Sequence, residues 1–388
     1  MNILERLDRS FSLSDEEQML LDSVKDLCRE RIAPDAAHYD RTSEFPWRNI
    51  EAINALGLNA MFVPEAYGGA QTSYVSYLAC VREISKACAS TGIIWATNFH
   101  AVKPLIEYGS EAQKERWLPR VAEGAIASLA ITEPSAGSDA TGMRTTFTPD
   151  GDDIVIQGGK VFITNGDVAD LYLLFGKWSE ISDSKQSISV LVLEKGTHGL
   201  TVLNTEHKMG TRASSTAALS FENCRVPRAN LIGAPGDGLS ILFGSLNRSR
   251  PSVAAHALGI ARAAFDDATA YINERKQSGR RILEFQGIQF MLADMASELA
   301  LCESWLWRIG EMVDRGEKDF GIEASMLKLR ATDAAMRITT DAVQLLGGYG
   351  YCNDYRVERL MRDAKITQIW EGTNQVHRQL IGRSFLTK

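Results

Sequence analysis

The sequence lacks the features that mark several specialised classes of protein. No apolar run approaches the roughly 18 residues of a membrane span. Its 42 basic and 49 acidic residues give a formal charge of −7 and form no basic stripe for nucleic acid. The six cysteines form no C-x-x-C pair and have no metal-ligand spacing with histidine. We therefore expect no membrane span, no nucleic-acid partner and no metal site.

The first residues carry no recognisable targeting signal. The stretch MNILERLDRSFSLSDEEQ is charged from residue 5 onward and contains neither an apolar secretory core nor an acid-free basic amphipath. The cysteines are typical of reduced, mostly buried thiols in a reducing compartment. These two features predict a cytoplasmic protein.

The spacing of apolar residues divides the chain into three segments. The first is helical and begins with a capping box, Ser14 and Glu17, after which an apolar face continues until Pro34. Short β-rich runs separated by turn residues occupy about 127–227. We predict an α+β fold that is mainly α, with three domains: an N-terminal helical domain (1–123), a small central β domain (124–238) and a C-terminal four-helix bundle (239–388).

Long helical patterns return in the last segment. Pro251 lies inside the first of them and predicts a kink or a restart, since proline cannot donate a backbone hydrogen bond. The predicted helices cover about 239–274, 284–314 and 319–346, with a short final helix from about 373.

A single carboxylate near the C-terminus stands in an unusual environment. In the stretch AKITQIWEGTNQVHR, Glu371 lies between Trp370 and Gly372, and further apolar residues precede it. A lone carboxylate in a loop is usually structural. Its apolar neighbours here indicate a carboxylate held away from water, which can act as a base.

Four sequence blocks stand out: LAITEPSAGSDA (129–140), GGKVFITNG (158–166), ERKQSGRRILEFQ (274–286), and QLLGGYGY with IWEGTNQ in the last fifty residues. Together they resemble the acyl-CoA dehydrogenase flavoprotein family, closest in pattern to its short- and medium-chain members. They occur in the family's order and spacing, and the helical–β–helical organisation covers essentially the whole chain. The resemblance implies bound FAD, an acyl-CoA substrate, electron-transferring flavoprotein as electron acceptor, and a homodimer or homotetramer.

The resemblance also implies which residues contact FAD. The first two blocks would meet the flavin ring, with Phe162 and Thr164 on one face of a strand. Arg275 and the 344–348 loop would reach the FAD of a neighbouring subunit. The family commonly has Trp at Phe162 and Phe at Ser278. The implied FAD contacts are Leu129, Ile131, Thr132, Gly137, Ser138, Phe162, Thr164, Arg275, Gln277, Gln286, Gln344, Gly347, Gly348, Thr373 and Gln375.

For the chemistry, the resemblance identifies Glu371 as the catalytic base. It would remove the α-proton of the acyl thioester while hydride passes from Cβ to flavin N5, giving a trans-2-enoyl-CoA. Some relatives carry the base on the helix near 247–250 instead, but this chain has Ser249 there. The residues implied to contact substrate are Ser138, Asn247, Arg250, Trp370 and Gly372.

Individual residues bear on which acyl group the substrate carries. Trp95, Phe99 and Trp370 are bulky enough to close a deep acyl pocket. Relatives that bind a dicarboxylate acyl group place an arginine near what is here Thr91, so a glutaryl-type substrate is not expected. His100 and Lys103 are polar, so an acyl group with a polar tail stays an alternative.

Three alternatives stay open at this point. A related flavin oxidase would share the fold, and a dehydrogenase acting on carrier-protein-bound acyl groups would use the same catalytic residues. A non-catalytic helical scaffold would have no reason to combine Thr132, Ser138, Arg275 and Glu371.

Overall fold

The computed structural model describes Leu4 and residues 13–386. The targeting prediction depends largely on residues 1–12, which apart from Leu4 lie outside this described part. Within it, no helix combines the length and apolar character needed to cross a bilayer.

The N-terminal segment is helical, as predicted. The capping box is confirmed: Ser14 Oγ accepts from the Glu17 amide at 3.2 Å, and Glu17 Oε2 accepts from the Ser14 amide at 3.1 Å. A π-helical turn over Cys28–Ile32 joins the first two helices, so the chain stays helical through Pro34, where we expected an end. Pro34 is tolerated because it lies in the first turn of the second helix. The helices are α1 (Asp15–Leu27), α2 (Ala33–Thr42), α3 (Trp47–Ala55), α4 (Tyr74–Ala87), α5 (Ala89–Tyr108) and α6 (Glu111–Ala122).

The central segment forms one eight-stranded sheet among the described residues. Its main path runs β6-β7-β3-β2-β4-β5-β8, and β1 pairs with β4 in parallel. The sequence did not single out β1, β2, β6 or β8, which are short or lie at an edge. The strands are β1 (Ala127–Ala130), β2 (Thr146–Asp150), β3 (Asp153–Thr164), β4 (Leu171–Trp178), β5 (Ile188–Glu194), β6 (Leu200–Thr205), β7 (Thr216–Pro227) and β8 (Leu231–Ile232).

The C-terminal segment is a bundle of long helices, which confirms the predicted fold class. Pro251 does not restart the first helix, which is continuous over 37 residues. The Tyr74 hydroxyl donates to the Arg248 carbonyl in the turn before Pro251 and so supports the backbone there. The helices are α7 (Gly238–Glu274), α8 (Gln286–Asp314), α9 (Gly321–Leu346), α10 (Val357–Thr367) and α11 (Asn374–Arg383), with a hairpin of β9 (Lys276–Gln277) and β10 (Arg280–Arg281) after α7.

Helix α10 was absent from the sequence prediction, yet it joins the sheet to the bundle. The Thr211 amide, on the β6–β7 connection, donates to the Asp363 carboxylate at 2.5 Å, and Arg362 donates to the Met209 carbonyl at 3.0 Å. Burial raises the pKa of Asp363 to about 6. The loop that carries Glu371 begins just beyond this junction, so sheet and bundle contacts both determine its position.

Candidate active site

Glu371 lies between α10 and α11 and contacts the middle of α7. Its Oε2 accepts a hydrogen bond from Ser249 Oγ at 2.5 Å. Ser249 is buried and Glu371 is half-buried. The family resemblance offers two positions for the base, 249 and 371. One hydrogen bond joins the residues at these positions.

The backbone of this loop is held in a left-handed conformation. Glu371 has φ +52° and Gly372 has φ +90°. A positive φ is unfavourable for a residue with a side chain, at about 1–2 kcal/mol. Two side chains secure the turn: Lys328 Nζ donates to the Gly372 carbonyl at 2.7 Å, and His377 Nε2 lies 3.2 Å from the Glu371 carbonyl.

Two buried basic side chains, Lys328 and Arg250, lie near the Glu371 carboxylate. Burial lowers the pKa of Lys328 to about 7, with the Glu371 carboxylate opposing the shift and Arg250 adding to it. Burial also lowers the pKa of Arg250, again opposed by Glu371. Arg250 donates to Asn247 Oδ1 at 3.1 Å and to Ser325 Oγ at 3.2 Å. The carboxylate therefore stands in a low-dielectric environment next to positive charge.

The amide of Glu371 is free to act as a donor. Among residues 13–386, no protein acceptor is found for this N–H. A backbone N–H next to a carboxylate can hydrogen-bond the oxygen of a bound carbonyl compound and stabilise charge that develops there. The loop thus offers both a base and an oxyanion donor within one residue.

Aromatic residues of α4 and α5 form a buried wall near this loop. The Tyr77 ring lies 5.4 Å from Trp95 and 4.5 Å from Phe99, measured between centroids. Trp370 lies 5.6 Å from His256 on α7. Trp95, Phe99 and Trp370 are thus packed with other rings, as an apolar pocket wall requires.

Lys328, His256 and His377 were not predicted from the sequence as residues of the site. Lys328 and His256 are fully buried, and their chain neighbours Leu327, Leu329, Ala255 and Ala257 are buried and apolar. A titratable residue on the buried face of an amphipathic helix is the signal that could have found them.

The predicted flavin-ring residues come together at the end of β1. The Thr132 carbonyl accepts from the Val161 amide at 2.9 Å, and the Ile131 carbonyl accepts from Lys160 Nζ at 2.8 Å. Lys160 also pairs with Glu133 at 2.8 Å, and burial lowers the pKa of Lys160 to about 8. This buried pair fixes the turn against β3.

Phe162 departs from the predicted strand geometry. The pairing of β3 with β7 shifts register between Lys160 and Ile163, and Phe162 has φ +58°. A β-bulge explains this, because one inserted residue interrupts the alternation that would place Phe162 and Thr164 on one face. Phe162 is consequently 64% exposed, while Thr164 is half-buried.

The groups at this turn fit a planar, polar ring system. Gly137 and Ser138 are exposed, and a Cβ built at Gly137 would have no neighbour within 4 Å. An exposed aromatic ring, an open glycine backbone and nearby hydroxyls suit an isoalloxazine, which stacks and hydrogen-bonds along its edge. Leu129, Ile131 and Thr132 are half-buried beside them.

A second group of predicted FAD residues lies at the far end of α7. The Arg275 guanidinium lies 5.6 Å from the centroid of Tyr349. Gln277 pairs with Arg280 in the hairpin, whose tip, Ser278 and Gly279, has positive φ at both residues. Arg275, Gln277, Gln286, Gln344, Gly347 and Gly348 are all exposed.

The two remaining predicted FAD residues follow the Glu371 loop. Thr373 caps α11 by accepting from the Val376 amide at 3.3 Å, and Gln375 is exposed in the first turn. A helix N-terminus with a free polar side chain is suited to bind an anionic group such as a phosphate.

Comparisons with known proteins match this architecture over nearly the whole chain. Three family models match the chain. They are described as "Acyl-CoA dehydrogenase, N-terminal domain" (residues 14–125), "Acyl-CoA dehydrogenase, middle domain" (128–224) and "Acyl-CoA dehydrogenase, C-terminal domain" (236–386). An acyl-CoA dehydrogenase of Bacillus subtilis is 42% identical over 376 residues, covering 96% of this chain and 99% of that protein.

Two further relatives are similar over the same extent. A short-chain-specific acyl-CoA dehydrogenase of Clostridium acetobutylicum is 40% identical, covering 96% of this chain and 98% of that protein. The solved structure of butyryl-CoA dehydrogenase from Megasphaera elsdenii has a TM-score of 0.94 and 37% identity, covering 97% of this chain and 100% of that one. The chain therefore belongs to the acyl-CoA dehydrogenase family and is an FAD-dependent oxidoreductase.

Proposed function

We propose that the protein oxidises an acyl-CoA to its trans-2-enoyl-CoA, with Glu371 as the base that removes the α-proton. The observation that carries this proposal is the Glu371 loop itself: a half-buried carboxylate beside Lys328 and Arg250, with its own N–H free. The α-proton of a thioester is a weak acid, so its removal needs a positioned base and a hydrogen bond to the developing enolate oxygen.

The residues around Glu371 would hold the thioester in place. The Glu371 N–H would donate to the thioester oxygen, and the left-handed conformation of Glu371 and Gly372 would hold the loop in the turn that presents this N–H. Bound FAD would supply the acceptor for the hydride from the β-carbon. Leu129, Ile131, Thr132, Gly137, Ser138, Phe162, Thr164, Thr373 and Gln375 are the residues proposed to hold it within one subunit.

We also propose that the substrate is a short acyl-CoA and that electron-transferring flavoprotein accepts the electrons. The similarity to a short-chain-specific relative and to a butyryl-CoA dehydrogenase supports a short acyl-CoA. The rings of Trp95, Phe99 and Trp370 support the same limit on length. Oxidation of acyl-CoA to enoyl-CoA is the reaction type of β-oxidation, which we propose as the metabolic setting.

A panel of acyl-CoA thioesters tests this function. The purified FAD-loaded protein is mixed anaerobically with each thioester, and flavin bleaching is followed by stopped flow. Turnover is then measured with electron-transferring flavoprotein and, separately, with O2. Bleaching by short acyl-CoA with turnover on the flavoprotein is expected. Turnover on O2 alone would instead indicate an oxidase, and bleaching only by carrier-bound acyl groups would indicate the carrier-protein alternative.

We also propose that the FAD site is completed by a second subunit. Arg275, Gln277, Gln286, Gln344, Gly347 and Gly348 are exposed at the hairpin end of α7, and Arg275 packs on Tyr349 rather than on the β1 turn. A twofold dimer, or a tetramer of two dimers, would bring them to the partner's FAD. Analytical ultracentrifugation at micromolar dilution tests this, and a monomer that retains FAD would refute it.

The compartment and the domain limits are proposals of the same kind. All six cysteines are unpaired thiols, five of them buried, which supports a reducing compartment such as the cytoplasm. Domain limits after residues 123 and 238 are supported by the change from helices to strands and back. Limited proteolysis would test those limits.

A further inference from the structure

Within residues 13–386, five buried ring nitrogens near the Glu371 loop have no hydrogen-bond partner. They are His100 Nε2, His256 Nε2 and Trp370 Nε1, together with Trp95 Nε1 and His377 Nδ1. His100 and His256 are both buried, with 4% and 0% of their surface exposed. Buried polar atoms are nearly always hydrogen-bonded, so a group of unpartnered ones calls for a ligand or a water.

These residues belong to one place in the fold. The rings of His256 and Trp370 lie 5.6 Å apart. Ser245 Oγ on α7 donates to the His100 carbonyl at 3.3 Å, one turn before Ser249, which bonds Glu371. Burial lowers the pKa of both histidines, to about 3 for His256. His100 on α5, His256 on α7 and Trp370 therefore surround the same region as Glu371.

The orientation of His256 is set by its other ring nitrogen. Nδ1 lies 2.8 Å from Ser85 Oγ on α4. The two nitrogens point away from each other across an imidazole ring, so Nε2 is directed away from α4. The bond to Ser85 fixes the ring and leaves Nε2 ready to bond a second group.

From this arrangement, and resting on the proposed function, we propose that the acyl substrate carries a neutral oxygen beyond its β-carbon. A hydroxyl, ketone or ether oxygen would hydrogen-bond with one or two of the unpartnered nitrogens of His100, His256 and Trp370, as many as its lone pairs allow. A plain alkyl chain would leave all three unpaired. A site that hydrogen-bonds a polar group discriminates strongly against the analogue that lacks it.

A charged tail does not fit the same residues. Lys103, which the sequence offered as a polar contact, pairs with Glu107 at 3.1 Å, and Arg248 pairs with Glu107 at 2.9 Å. Thr91, where dicarboxylate-binding relatives have arginine, is buried and accepts from Asn49 at 2.9 Å. Neutral imidazoles therefore select a neutral oxygen rather than a carboxylate.

Two pairs of thioesters of equal size test the proposal on the FAD-loaded protein. The first pair is 4-oxopentanoyl-CoA and 4-methylpentanoyl-CoA, and the second is 4-hydroxybutanoyl-CoA and pentanoyl-CoA. We expect the oxygenated member of at least one pair to have a kcat/KM at least about tenfold higher. Calorimetric Kd values with the Glu371→Gln variant should show the same preference without turnover.

Variants of His256 assign the preference to this site. His256→Leu removes the nitrogen at similar volume and should abolish the preference, whereas His256→Gln keeps a hydrogen-bonding end and should retain most of it. The exposed His38→Leu is the matched control and should leave the preference unchanged.

Each outcome has a distinct meaning. Equal or higher kcat/KM for the plain member of both pairs overturns the inference while leaving the proposed function intact. A preference that survives His256→Leu together with His100→Phe also overturns it, because the oxygen is then recognised elsewhere. If no acyl-CoA of any kind bleaches the flavin, the proposed function fails and this inference fails with it.

Discussion

Ser249 Oγ donates a 2.5 Å hydrogen bond to Glu371 Oε2, although the two residues are 122 positions apart in the chain. This contact joins the middle of α7 to the loop before α11. It orients one carboxylate oxygen and leaves the other available for a proton. It also shows that a longer side chain at position 249 would reach the location that the Glu371 carboxylate occupies.

Replacing Glu371 with glutamine should abolish α-proton removal while leaving binding intact. The amide keeps the shape and the hydrogen bond with Ser249 but cannot accept the proton. We expect flavin bleaching by acyl-CoA to slow by on the order of 10²–10⁴-fold. Anaerobic stopped flow measures the rate, and the spectral shift of oxidised flavin on ligand binding reports retained affinity. The exposed Glu51→Gln is the matched control, and bleaching at the parent rate in Glu371→Gln would place the base elsewhere.

Moving the carboxylate to α7 should restore part of the activity. Glu371→Gly removes the base, suits the φ of +52° and creates space beside position 249. Adding Ser249→Glu should then raise the bleaching rate at least roughly tenfold above the single variant, because the new carboxylate reaches the same region. Glu371→Gly with Ser249→Gln is the control of equal size. If it recovers as much, the gain comes from packing and not from a base.

Lys328 should make stability depend on pH. Its folded pKa of about 7 lies below that of an exposed lysine, so the unfolded chain binds more protons above pH 7. Stability should therefore rise with pH in the wild type relative to Lys328→Met. The difference in the free energy of unfolding between wild type and Lys328→Met should grow by about 1.4 kcal/mol per pH unit between about pH 7 and 9.

Urea unfolding of FAD-loaded protein at one protein concentration measures this difference. Lys86→Met, at a half-exposed lysine paired with Asp266, serves as the control and should show no such slope. A constant difference between wild type and Lys328→Met across this range would mean that Lys328 stays charged in the fold.

Arg275 should contribute to FAD retention without supporting the fold. Its side chain is exposed, and its guanidinium lies over the Tyr349 ring. Arg275→Ala should weaken FAD binding by roughly 1.5–3 kcal/mol if the guanidinium bonds a phosphate of the partner's cofactor. Flavin released during gel filtration measures this. Arg315→Ala, another exposed arginine, is the control, and unchanged occupancy in Arg275→Ala would make Arg275 a surface charge only.

Local chemistry determined much of the helical framework in advance. The Ser14 capping box forms as its sequence requires, and the predicted helix over 239–274 is observed as Gly238–Glu274. These features depend on residues three or four apart, so neighbouring sequence contains the information. The resemblance of the Glu371 loop and the other blocks to a known family identified the fold class and FAD.

Contacts between distant segments decided the rest. Helix α10 packs on both the sheet and the bundle, the π-turn carries the chain past Pro34, and the bulge at Phe162 arises from pairing with β7. None of these follows from periodicity alone, because α10 and the bulge depend on partners far along the chain and the π-turn departs from the α-helical period.

The sequence by itself determined most of the long helices, the strands β3, β4, β5 and β7, and which carboxylate to examine. Only the tertiary structure placed Ser249, Lys328 and His377 around Glu371 and left the nitrogens of His100 and His256 without partners. The physical reason is that the burial of an atom and the electrostatic potential at it depend on all of its neighbours in space. Those neighbours come from α5, α7, α9 and α11, which only folding brings together.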